Sequence, residues 1–84
     1  SSVHVKSKQD IVVSTGSSEY NKTVSINSVD PSKVIIYPVG MPELVNAGVF
    51  YISTGGTAIN MTATSMTVQQ DEKSNVLYQI VEFY

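Results

Sequence analysis

The stretch Val76-Leu77-Tyr78-Gln79-Ile80-Val81-Glu82-Phe83 decides the class of fold. Side chains alternate across a strand, so Val76, Tyr78, Ile80 and Glu82 share one face and Leu77, Gln79, Val81 and Phe83 the other. Both faces are largely apolar, which predicts a central strand covered on both sides. Further back, Tyr20, Lys22, Val24 and Ile26 alternate with Asn21, Thr23, Ser25 and Asn27. That period-two pattern marks a strand with one buried and one wet face.

The remaining segments extend the same picture. Asp30-Pro31-Ser32 is turn chemistry, because Pro presets φ and Asp bonds the backbone two residues on. It leads into the β-branched run Val34-Ile35-Ile36-Tyr37. Pro38, Gly40 and Pro42 then break the chain, predicting a loop over 38–46 with room for at most one helical turn. Val49-Phe50-Tyr51-Ile52 reads as a strand, Gly55-Gly56 as the hairpin turn after it, and 58–63 and 66–69 as further short strands. A polar loop over 71–75 precedes the last strand. Near the start, Ile11-Val12-Val13 forms a strand before a turn at Thr15-Gly16-Ser17-Ser18, and Val3-His4-Val5 is a separate short strand. No segment carries a helical apolar stripe of useful length. The expected fold is all-β, a small antiparallel sandwich or barrel of about seven or eight short strands. Its 84 residues make one domain, with residues 1–9 read as an extended N-terminal arm.

So short a chain buries a modest share of its surface and needs support from disulfides, metals or association. There is no cysteine and a single histidine, His4, so thiolate and histidine cages are excluded. Association is the support that remains, and a homo-oligomer is expected. Charged residues make up 14% of the chain, against roughly 25% in an average soluble domain. Serine and threonine take their place. This suits a surface partly covered by neighbours, and Ser/Thr-rich surfaces are also common in β-sandwiches. Five lysines without arginine form no cluster able to neutralise phosphates, which argues against nucleic-acid binding. No apolar run approaches the roughly 20 residues of a membrane span, and the first residues lack the apolar core of a signal peptide.

Catalytic chemistry finds few of its usual groups here. A serine nucleophile needs a base within reach, and His4 has neither a nucleophile elbow nor an acid partner near it in sequence. Asp71 and Glu72 are adjacent, so on a strand they would point to opposite faces, and in a loop they are solvated. There is no calcium-loop spacing and no phosphate loop at Gly55-Gly56. Asn21-Lys22-Thr23 and Asn60-Met61-Thr62 match the glycosylation sequon but read as ordinary strand residues. Glu82, inside an apolar strand, reads either as a polar anchor for a cation or backbone donor at an interface or as a carboxylate beside a frayed terminus. Five tyrosines outnumber two phenylalanines, and Tyr suits interfaces and sugar-binding surfaces as well as strands. The expectation is a chain that is no enzyme and has no cofactor and no metal.

Four motifs occur in an order found in small β proteins of tailed bacteriophages. They are Val5-Lys6-Ser7-Lys8-Gln9, a Thr-Gly-Ser-Ser turn opening the alternating stretch 15–26, Val29-Asp30-Pro31-Ser32-Lys33 before a β-branched strand, and the closing Tyr78-Gln79-Ile80-Val81-Glu82-Phe83. Together they span nearly the whole chain, which resembles virion structural proteins of that group. The closing strand also resembles that of H-type lectin-like sandwiches, with Tyr78 where those usually carry Trp. The resemblance implies a virion location, reached by assembly in a host cytoplasm, and partners among major capsid or other virion proteins. A capsid decoration or cement subunit is the first expectation. A tail, baseplate or fibre-associated binding module, with carbohydrate as a possible ligand class, is the second. The contact elements expected are Val3, His4, Val5 and Lys6 in the arm and Tyr78, Glu82, Phe83 and Tyr84 at the other end of the chain.

Overall fold

The computed structural model describes residues 4–39, 41–45, 49–53 and 55–84, the segments 41–45 and 49–53 as backbone strands. Eight strands follow in chain order: β1 (Val5–Ser14), β2 (Asn21–Ser25), β3 (Val34–Val39), β4 (Met41–Val45), β5 (Val49–Ser53), β6 (Thr57–Met61), β7 (Ser65–Gln69) and β8 (Asn75–Phe83). They form two three-stranded antiparallel sheets, ordered β1-β8-β3 and β2-β7-β6, and a two-stranded sheet, β4-β5. The first sheet contributes Val13, Val76, Tyr78 and Ile80 to the core, and the second contributes Met66 and Val68. Ile11, Val24, Ile26, Val34, Ile36, Ala58 and Met61 pack around them. The small antiparallel sandwich is thus observed.

β8 is central, as its composition requires, and pairs with β1 on one side and β3 on the other. Its cover is one-sided. Val76, Tyr78 and Ile80 are buried in the core with the second sheet and Glu82 against Ser7 and Asp30, whereas Leu77, Gln79 and Phe83 on the opposite face are only half-buried. β2 alternates as expected, with Lys22 and Val24 turned inward and Asn21, Thr23 and Ser25 exposed.

Three local expectations are corrected. Residues 5–9 are no arm: β1 runs from Val5, and its register on β8 extends from Val5↔Phe83 to Ser14↔Asn75, with a bulge between Val5 and Ser7. The ladder itself holds this segment, and the separate strand expected around Val5 is its beginning. Within 38–46, Pro38 and Val39 end β3, and 41–45 is β4, not a loop or a helical turn. Pro38 is tolerated because β3 is an edge strand, where a missing N–H need not break a ladder bond. Finally, Gly55-Gly56 joins no paired strands, because β5 pairs with β4 while β6 pairs with β7.

A buried polar network closes one end of the sandwich. The Tyr78 hydroxyl donates to Gln70 Oε1 at 2.8 Å, and Gln70 Nε2 donates to the Val13 carbonyl at 2.9 Å. The Ser74 amide donates to Thr15 Oγ1 at 3.1 Å, and the Ser74 hydroxyl to the Asp71 carbonyl at 2.6 Å. Every buried side-chain polar atom among the described residues has a partner, which is what a dry interior demands. Between the sheets, the Gln9 amide accepts from the Asn27 N–H at 3.0 Å and donates to its carbonyl at 3.2 Å. It stands in for a strand-to-strand peptide pair.

Candidate interaction surface

The two outward faces of the sandwich differ in chemistry, and the register shows why. On the β2-β7-β6 sheet the outward positions are Asn21, Thr23 and Ser25, paired with Gln69, Thr67 and Ser65. The Thr23 and Thr67 hydroxyls hydrogen-bond across the ladder at 2.8 Å. Such a face needs little cover, its one large exposed apolar side chain among the described strand residues being Ile59, 53% exposed at the β6 bulge. On the β1-β8-β3 sheet the outward rungs are Val12–Leu77–Val39, Asp10–Gln79–Tyr37 and Lys8–Val81–Ile35, with Val5 beside Phe83 beyond them. Val12 is 50% exposed, Tyr37 47%, Ile35 45% and Val39 41%. Val81, flanked by Lys8 and Ile35, is closed over by its neighbours.

A three-strand apolar face of this kind on a small domain is a mark of an interaction site, whereas single exposed apolar residues are not. The runs Ile11–Val13, Val34–Tyr37 and Val76–Phe83 carried the signal, since their apolar residues occupy both strand faces. Sequence reasoning took the double-sided pattern as double-sided burial, and so missed Val12, Ile35, Tyr37, Val39 and Leu77. The outer strands of the sheet, β1 and β3, bound this face.

The expected contact residues divide. Val5 and half-buried Phe83 lie at the end of the apolar face. His4, Lys6 and Tyr84 are exposed near them. The Tyr84 amide donates to the His4 carbonyl at 3.1 Å, and the Lys6 ammonium lies 6.0 Å from the Tyr84 ring centre. Val3 is outside the described residues. Tyr78 and Glu82 are corrected to internal positions, because both point into the sandwich and are spent on contacts within the chain. Tyr78 is fully buried, which raises its phenol pKa above the ordinary value. Glu82 is neither an interface anchor nor a frayed-end carboxylate. It accepts from the Asp30 amide at 2.8 Å and the Ser7 hydroxyl at 2.9 Å, and the Lys6 ammonium lies 4.0 Å away. The Asp30 amide first, and the Ser7 hydroxyl second, hold its carboxyl below the usual carboxylate range.

No family model matches the chain, and no curated protein or solved structure matches it either. Its surface chemistry is therefore the ground for a functional argument.

Two further features belong to that surface. The β4-β5 hairpin, with Pro42 opposite Ile52 and Leu44 opposite Phe50, is hydrogen-bonded to neither three-stranded sheet. An isolated two-stranded unit is marginal in water, and here β4 lies close to β8 of the same chain. At the far side of the sandwich, Tyr20, Gly55, Thr57, Gln69, Gln70 and Asp71 line a shallow groove of about 310 Å³. Tyr20 is 51% exposed there, so an aromatic ring, a carboxylate and an amide share one open depression. Among the described residues no three His, Asp or Glu side chains gather in a way that could hold a metal ion.

Proposed function

We propose that this chain is a non-enzymatic virion structural protein, a capsid decoration subunit seated between larger shell subunits. One observation carries the reading: a sandwich with one largely polar face and one exposed, largely apolar face has a wet side and a docking side. A decoration subunit needs both, a face that water wets and a face that another polypeptide covers. The β4-β5 pair, which shares no backbone ladder with either three-stranded sheet among the described residues, adds backbone edges of the kind that extend a neighbour's sheet. Weak contacts of this sort, repeated by particle symmetry, gain strength through avidity. The virion setting comes from the ordered motifs that resemble small phage proteins.

The test is quantitative mass spectrometry of purified particles. A copy number on the scale of the major shell protein supports decoration. A few copies per particle would overturn it in favour of a tail or fibre module. The Tyr20 groove favours that second reading specifically, because a sugar ring can stack on the tyrosine while its hydroxyls donate to Asp71 and Gln69. A glycan array on which Tyr20→Ala abolishes binding would support it, and an array without hits would remove it.

A further inference from the structure

We infer that the exposed apolar face of the β1-β8-β3 sheet is covered by the same face of a second copy of this chain, the two packed across a two-fold axis. The inference rests on the reading of this face as the docking side and names a second copy as what covers it, so that a dimer meets the particle through its sheet edges; self-association of the free protein is tested apart from copy number in the particle.

The face identifies its occupant by being complementary to itself. Its middle rung is Asp10–Gln79–Tyr37, with Gln79 on the central strand. A carboxamide both donates and accepts, so two copies of Gln79 facing each other on a two-fold axis satisfy one another. Above and below this amide lie Leu77 and Val81, so the polar point is enclosed by apolar contact. On the β1 margin, Lys8 and Asp10 are exposed on the same side, two residues apart and opposite in charge. The charged margin is therefore neutral overall. A two-fold axis through Gln79 and along its rung brings the Asp10 side chains of the two copies to one margin and lays a Lys8 from each copy on either side of them, so the four charges balance. Isologous interfaces have this pairwise reciprocity.

Packing and size agree. Two sheets stacked face to face at about 10 Å interdigitate side chains of the size of Val, Ile and Tyr. An 84-residue chain without cysteine gains from a second core. Tyr37, on the middle rung beside Gln79 and 47% exposed, is the aromatic anchor expected of such a contact.

The experiment uses the full chain, in sedimentation equilibrium across a concentration series. The wild type is expected to show twice the monomer mass. Tyr37→Lys, at an exposed position, should weaken dimerisation by about 100-fold or more, while Thr23→Lys on the polar face leaves it unchanged. Circular dichroism establishes that each variant is folded. Because the chain has no cysteine, Gln79→Cys provides an independent readout. A short bis-maleimide, long enough to span about 10 Å between stacked sheets, should link it to its mate, and Thr67→Cys should not be linked. Lys8→Asp should weaken the dimer and Lys8→Asp with Asp10→Lys should restore it. A chain that stays monomeric at all concentrations overturns the inference. So does an oligomer indifferent to Tyr37→Lys and refractory to cross-linking through position 79.

Discussion

Gly56 lies directly against the hydroxyl end of Tyr78. A Cβ at position 56 would fall 2.8 Å from Tyr78 Cζ and 3.0 Å from Val76 Cγ1, and closer still to the hydroxyl oxygen. The glycine is required for space, not for a turn. Tyr78 cannot move away, because it is fully buried and its hydroxyl is bound to Gln70. Gly56→Ala is therefore expected to destabilise the fold by about 1–3 kcal/mol through overpacking. In urea denaturation the double variant Gly56→Ala/Tyr78→Phe should lose less than the two single losses added together, since the phenylalanine removes the worst contact. Simple additivity would show that the two positions do not press on each other.

Tyr78→Phe alone tests the polar network. The ring stays, but Gln70 Oε1 loses its donor in a dry setting. An unmade buried hydrogen bond costs about 1–3 kcal/mol. The same change should speed hydrogen exchange at residues held by the network, including the Ser74 amide that donates to Thr15. An unchanged urea midpoint would mean that water or another donor reaches Gln70.

Much of the fold was legible because the alternation in 20–27 and the doubly apolar 76–83 each have a direct structural meaning. What escaped was whatever depends on a neighbour. Pro38 reads as a breaker until β3 is known to be an edge, and Gly55-Gly56 reads as a hairpin until the ladder partners of β5 and β6 are known. Glu82 looked exposed or interfacial because its partners, Ser7 and Asp30, are 75 and 52 residues away in sequence. The outward face of Ile35, Tyr37 and Val39 escaped for another reason. An apolar residue in a strand has the same local pattern whether its cover is its own chain or another.

Removal of residues 1–8 separates an arm from a strand. A free arm would be lost without harm, but here the deletion strips β1 from Val5 to Lys8 and leaves the end of β8, from Val81 to Phe83, without its partner on that side. It also removes the Ser7 hydroxyl from Glu82. The truncated chain should show a lowered thermal midpoint and faster amide exchange at 81–83. A truncated protein as stable as the full chain would return these residues to the role of a dispensable arm.

The acid limb of stability follows from Glu82. Its folded pKa is depressed, by the Asp30 amide first and the Ser7 hydroxyl second, below an ordinary value of 4.5. A group depressed on folding contributes its stability in full above the unfolded pKa and loses it as pH falls through the folded pKa. Asp30 is lowered too, through the Ser32 hydroxyl and amide, and acts with the same sign. The urea midpoint is therefore expected to be flat near neutrality and to fall progressively as pH drops below about 5. Glu82→Gln should lower the midpoint at pH 7, because the amide accepts less strongly from Asp30 and Ser7, and should flatten the acid limb. Asp30→Asn should flatten it only slightly, since that carboxylate is exposed. If Glu82→Gln kept the full acid slope, the carboxylate would not be the group whose protonation loosens the joint between β1, β8 and the loop before β3.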